Sequence, residues 1–173
     1  MACYRVPVPR FLLSLLILLW AAPAAAQPLQ GGPNNIASTL VAETSAPAPG
    51  QAVTLAFSFT PQAGWHGYWL NPGDAGQPMR VEWSLPAGVT AGPLRFPVPH
   101  TLTISGLMNY VFEGPHAVLA ELRLADGIAA GTRLPVRARI DYLACTDTIC
   151  VPERAELALR SEEHTSELQS RQY

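Results

Sequence analysis

Two cysteines carry most of the chemistry this chain offers. Cys145 and Cys150 stand in the run Tyr142-Leu-Ala-Cys-Thr-Asp-Thr-Ile-Cys-Val-Pro152, between two stretches of alternating apolar and polar residues. Four residues separate them, the length of a hairpin loop. Facing residues of an antiparallel pair lie about 4.5–5.5 Å apart at Cα, within the roughly 4.4–6.8 Å that a disulfide spans. A bridge is geometrically easy. It is a weak staple, because closing a ring of about six residues is worth about 2 kcal/mol by loop entropy, against nearly 5 for a ring of about a hundred. Position therefore suits an exposed redox pair. A structural bridge stays open as the other reading, since exported proteins carry many small disulfide loops.

Other chemistries fare worse. Zinc needs four ligands, and the pair supplies two. Copper(I) accepts two thiolates helped by Met79, Met108 or a histidine, but no Met/His cluster lies near the pair in sequence. His66, His100 and His116 are isolated and read as turn or surface residues. There is no Gly-x-Ser-x-Gly elbow, no His-Glu-x-x-His and no Gly-rich phosphate loop. The net charge is −2, with eleven arginines and no lysine. Without a clustered basic face, nucleic acid is excluded as a partner.

The elements that must position the cysteines are strands. Apolar residues make up 49% and charged residues 14% of 173, which rules out a disordered polyampholyte. Seventeen prolines and thirteen glycines would interrupt helices of ordinary length. Ala52–Thr60 alternates Val53, Leu55, Phe57 and Phe59 against Thr54, Ser58 and Thr60, as a half-buried strand does. Met79–Ser84, His116–Leu124, Thr132–Tyr142 and Arg154–Leu159 show the same period of two. Turn signals separate them at Pro47–Gly50, Asn71–Asp74, Pro86–Gly88, Glu113–Pro115 and Asp126–Gly127. One apolar and one polar face per run predicts an all-β, immunoglobulin-like two-sheet antiparallel sandwich.

The two ends read differently. Residues 1–26 have a signal peptide's parts: Arg5 and Arg10, the apolar run Phe11–Trp20, and the small-residue end Ala24-Ala-Ala26. This ten-residue run, interrupted by Ser14 and cut short by Pro23, is too short to cross a membrane, which takes about 20 apolar residues. Cleavage after Ala26 would remove Cys3 and leave Cys145 and Cys150 as the only thiols, in an oxidising compartment. Residues 27–35 form a Pro/Gly/Asn-rich leader, and 36–159 make one sandwich domain. Residues 160–173 break with this texture; Arg160–Ser170 (RSEEHTSELQS) resembles a translated sequencing adapter. On that reading the tail is non-native and the native sequence in this chain ends near Leu159.

Three segments together carry a family resemblance: Trp65-His-Gly-Tyr-Trp-Leu-Asn-Pro-Gly-Asp-Ala-Gly-Gln-Pro78, Tyr110-Val-Phe-Glu-Gly114, and Tyr142-Leu-Ala-Cys145 through Cys150-Val-Pro-Glu153. They resemble the N-terminal periplasmic domain of DsbD-type thiol:disulfide interchange proteins, especially the ScsB-like branch, over most of 36–159. The resemblance implies an immunoglobulin-like sandwich whose cysteine pair relays reducing equivalents. These would arrive from membrane electron-transfer and thioredoxin-like domains of a full-length inner-membrane protein, and leave to oxidised periplasmic thioredoxin-fold proteins. Cys150 would form the mixed disulfides and Cys145 would resolve them. Tyr68 and Trp69 would pack beside the pair, with Tyr142 at the head of its motif supporting it. His100–Ser105 falls where a cap loop shields the pair in the better-known branch, without the aromatic residue at its tip, and the cysteine spacing is one residue shorter.

Two functions are therefore in play. One is a periplasmic protein-disulfide reductase domain needing no dissociable cofactor, since the electrons travel on sulfur. The other is a non-catalytic exported binding module whose disulfide fixes a hairpin. For the first, a sandwich offers no helix N-terminus to activate a thiol. Asp147 and Glu153 would disfavour the thiolate while Arg139 or Arg154 would favour it, so a weakly activated pair that relies on partner docking is expected.

Overall fold

The structure is a computed structural model describing residues 33–45, 47–129 and 132–159. The expected signal peptide, the leader before residue 33 and the 160–173 tail lie outside the described residues. Ten strands follow in order: β1 (Ile36–Ala42), β2 (Ala52–Pro61), β3 (Gly67–Gly73), β4 (Arg80–Ser84), β5 (Val89–Ala91), β6 (His100–Ile104), β7 (Leu107–Phe112), β8 (His116–Leu124), β9 (Arg137–Cys145) and β10 (Cys150–Ala158). No helix occurs among the described residues. The all-β expectation holds.

The strands make three antiparallel sheets, ordered β1-β2-β8-β5, β10-β9-β4 and β3-β7-β6. The first two face each other across the main core. Leu55 and Phe57 of β2, Val118 and Ala120 of β8, and Ala138 and Ile140 of β9 are each at most 1% exposed and belong to one cluster. These are the apolar sets of the alternating runs, each side chain worth about 1.5–3 kcal/mol of burial for its larger members. Trp83 of β4 closes the core against Phe57, with ring centroids 5.4 Å apart.

The third sheet is what the pattern alone does not show. β4 pairs with Arg137–Asp141 of β9, while His66, just before β3, bridges to Cys145 at the other end of β9. The second layer is thus split, with β4 and the β3-β7-β6 sheet sharing one edge of β9.

Several boundaries differ from the sequence expectation. Residues 132–136 belong to no strand, since Pro135 has no N–H to give a ladder, yet Leu134 and Val136 still pack on the core. The Asn71–Asp74 turn signal begins inside β3, where the pairing with β7 is irregular between Tyr68 and Gly73. His100–Ser105, expected as a loop, is mostly strand: β6 pairs with β7 through a turn at Ser105 (φ 51°) and Gly106 (φ 85°). Positive φ at both positions is what a two-residue hairpin matching the strand twist requires.

Candidate functional site

β9 and β10 form a hairpin, and its last facing pair is Cys145 and Cys150. They are joined by a disulfide with Cα atoms 4.1 Å apart. The connecting loop is tightened by Thr146, whose N–H donates to Ile149 O at 2.8 Å and whose Oγ1 accepts from the Thr148 and Ile149 N–H groups at 3.3 and 3.2 Å. The Cys145 N–H donates to His66 O at 3.0 Å, and the Cys145 carbonyl accepts from the His66 N–H at 2.8 Å. With both its peptide groups turned to His66, Cys145 faces Cys150 as a non-hydrogen-bonded pair, the closer of the two kinds in an antiparallel ladder.

The two sulfurs do not share an environment. Cys145 is 0% exposed, enclosed by Tyr68 and Val111 with Leu102 and Leu143 packed around them, whereas Cys150 is exposed. The expectation of an exposed pair thus holds for one cysteine only. Tyr68 and Val111 face each other across β3 and β7, so the third sheet supplies the lid over Cys145. Gly76 (φ 89°) lets the chain lie flat on Tyr68; a Cβ there would come within 2.2 Å of the ring. Asp74 fastens the same segment to β7, donating its N–H to Met108 O and accepting from the Met108 N–H through Oδ2, both at 2.8 Å. Asn109, 2% exposed, accepts from Ala75 N–H at 3.2 Å and donates to Leu107 O at 3.1 Å. The Asn-Pro-Gly-Asp-Ala-Gly segment therefore acts on the site through Tyr68.

The sequence-derived site residues separate accordingly. Cys145, Cys150 and Tyr68 come together. Trp69 does not join them; it packs edge-on against Tyr110, centroids 5.7 Å apart. Tyr142 lies in the main core, where its hydroxyl donates to Ile36 O at 2.7 Å and accepts from Asn34 Nδ2 at 2.9 Å. Burial pushes its phenol up to about 12. Arg139 and Arg154 are engaged by Glu82 and Asp141, farther along the ladder. Glu153 is a buried clasp, accepting from Asn35 N–H (2.6 Å), Asn35 Nδ2 (2.8 Å) and Ile36 N–H (3.2 Å).

His66 is the residue that sequence reasoning misplaced. It is 2% exposed, not a surface residue, and its Nε2 lies 3.4 Å from the Tyr68 hydroxyl. Burial lowers its pKa, with Glu113 and Asp147 pulling the other way; burial also raises that of Tyr68. His116 is half-buried, stacked between Phe59 and Phe112, and burial lowers its pKa too. Among the described histidines, His100 alone is exposed, as expected. The one sequence signal for His66 was its position two residues from Tyr68, a same-side spacing on a strand.

Comparison with known proteins bears on this geometry. The family model described as "Thiol:disulfide interchange protein DsbD, N-terminal" matches residues 37–162. The chain belongs to the DsbD N-terminal family. Among solved structures, this DsbD N-terminal-type chain is similar to the N-terminal periplasmic domain of ScsB from Proteus mirabilis, at 16% identity and TM-score 0.53. The match covers 78% of this chain and 50% of that one, so the chain spans half of the ScsB domain's length. The reduced DsbD N-terminal domain of Neisseria meningitidis also matches, at 14% identity and TM-score 0.40, covering 72% of this chain and 84% of that one. No curated protein matches. No helix among the described residues is long and apolar enough to cross a membrane.

Exchange at such a pair is an in-line displacement by a thiolate at one sulfur. Cys145 is covered and Cys150 is exposed, so an incoming thiolate would meet Cys150 first.

Proposed function

We propose that this chain is a periplasmic protein-disulfide reductase domain that hands reducing equivalents through Cys145 and Cys150 to oxidised thioredoxin-fold proteins. Its electrons come from membrane and thioredoxin-like domains of a longer inner-membrane protein, and they travel on sulfur without a dissociable cofactor. The observation that carries this reading is the asymmetry within one facing pair: Cys150 exposed, Cys145 fully enclosed. In the reduced domain the Cys150 thiolate attacks the partner's disulfide and forms the mixed disulfide. Cys145, held opposite at 4.1 Å between Cα atoms, then attacks Cys150 and releases the reduced partner. Proximity gives this second step a high effective concentration. Desolvation among Tyr68, Val111 and Leu102 disfavours a lasting thiolate at Cys145, so the closed disulfide is the resting end of the cycle. Tyr68 acts as the positioning residue.

A Cys145→Ala variant tests the assignment. It should accumulate a mixed disulfide through Cys150 with an oxidised thioredoxin-fold protein. Failure to trap any partner, with the fold intact, would leave the disulfide as a hairpin fastener.

A further inference from the structure

We propose that His66 is the general base of the exchange, taking the proton from the enclosed Cys145 thiol as that sulfur closes on Cys150. The proposal rests on the exchange role above and names the group that its second step requires.

The need for such a group follows from burial. A thiolate, not a thiol, displaces sulfur from a disulfide, and Cys145, 0% exposed, has no solvent beside it to receive its proton. Tyr68 and the aliphatic side chains around it disfavour a standing thiolate. The charge must therefore be made at the moment of attack, by a base within reach.

Register supplies one. His66 and Cys145 form an antiparallel bridge and exchange both backbone hydrogen bonds, so they lie directly opposite each other. Side chains of directly opposite residues emerge on the same side, with Cβ atoms about 4.5–5.5 Å apart. Cys145 in turn faces Cys150. His66, Cys145 and Cys150 thus stand abreast in one row, with Cys145 in the middle. In the reduced chain a change of Cys145 rotamer turns Sγ between the imidazole on one side and the sulfur it attacks on the other.

The surroundings of His66 suit a base. Its Nε2 lies 3.4 Å from the Tyr68 hydroxyl, with the rings edge-on at 5.4 Å between centroids. In the tautomer that donates Nε2–H to this hydroxyl, Nδ1 keeps the lone pair. Tyr68 does not serve in its place, because burial holds the phenol protonated. On another side His66 lines an open groove of about 420 Å³ with Trp65, Glu113, Thr146 and Asp147. Burial favours the neutral ring that accepts a proton, and the Glu113 and Asp147 carboxylates favour the imidazolium once it forms. The groove is its route to solvent.

The step balances. Cys145 gives its proton to Nδ1, and its sulfur electron pair forms the bond to Cys150 Sγ. The bond between Cys150 and the partner's sulfur breaks, and the partner leaves as a thiolate. The dithiol is oxidised by two electrons, the partner is reduced by two, and the imidazolium returns its proton through the groove.

The test follows the reduced chain with less than one equivalent of a nitrobenzoate disulfide, which releases a coloured thiolate twice. The first release reports attack by Cys150, and the second reports closure by Cys145. In the wild-type chain the second phase should be level from about pH 6.5 to the thiol range near 8.5, falling only below that window as the imidazole protonates. In His66→Gln it should be about a hundredfold slower at pH 7, the low end of what a positioned base contributes. It should also rise about tenfold per pH unit there, with the thiolate fraction. The first phase should be the same in both chains. A wild-type second phase that itself rises tenfold per unit across the window would overturn the proposal, whether or not the variant folds. Equal second-phase rates in the two folded chains would do the same, and either result leaves the exchange role standing. A first release with no second would mean that Cys145 does not close on Cys150, and would overturn both.

Discussion

Cys145 and His66 exchange both of their backbone hydrogen bonds, at 3.0 and 2.8 Å, so the enclosed half of the disulfide is fixed to the segment that also carries Tyr68. The exposed half has no such tether, being held by the hairpin alone. One cysteine is anchored in the fold and the other is exposed to solvent.

That difference should appear in the reduced chain's reactivity. Iodoacetamide should alkylate Cys150 about tenfold or more faster than Cys145, because reaction needs an accessible thiolate. Mass spectrometry of peptides after a timed quench measures the ratio. Substituting Tyr68→Ala opens the enclosure and should bring the two rates together.

The bridge itself should matter little to stability. Its six-residue ring is worth about 2 kcal/mol at most by loop entropy, so the reduced chain should remain folded with a modestly lower urea midpoint. Equilibration against glutathione should give a potential above about −300 mV, the range of exchangeable bridges. A lower value would mark a structural disulfide.

Glu153 should be costlier to lose than either cysteine. It accepts from three donors at the start of β1 and is 7% exposed. Glu153→Ala leaves the buried Ile36 N–H and the half-buried Asn35 donors without that partner, at about 3 kcal/mol. Glu153→Gln should cost less, since one acceptor oxygen remains. Neither variant should change the Cys150 alkylation rate in the folded chain, because the carboxylate is spent on β1.

Stability should fall on both sides of neutrality. Burial is the largest cause of the lowered pKa at His66 and at His116. The unfolded chain therefore binds more protons below the ordinary value of 6.5, and their contribution, complete above that pH, is lost as pH falls toward the depressed values. Tyr142 runs the other way. Its phenol rises from 10 to about 12 on folding, so its contribution is present below pH 10 and is lost as pH rises to about 12. Urea midpoints across pH measure both arms. His66→Gln with His116→Phe should flatten the acid arm, and Tyr142→Phe with Tyr68→Phe the alkaline one, since burial raises the Tyr68 phenol as well.

The core was legible because alternation reports which face is wet. Val53, Leu55, Phe57 and Phe59, or Ala138, Ile140 and Tyr142, declare an inward face in sequence, and the structure buries all of them. β3, β6 and β7 were harder to read. Asn71-Pro-Gly-Asp74 carries turn residues inside an irregular strand, and β6 and β7 are five and six residues long with mixed faces. His66 was illegible for a related reason: its burial comes from a single bridge to a residue 79 positions away.

By itself the sequence determined that the chain is all-β and that Cys145 and Cys150 stand close enough to bond, because both follow from local period and loop length. It also put Cys145 on the face of its strand that carries Arg137, Arg139 and Asp141, where alternation leaves a side chain wet. Only the tertiary structure closed that face at one end, by bringing Tyr68 and Val111 from another sheet over the sulfur. Burial of a single residue depends on what arrives from elsewhere in the chain, and no local pattern records it. That arrival makes the two cysteines unequal.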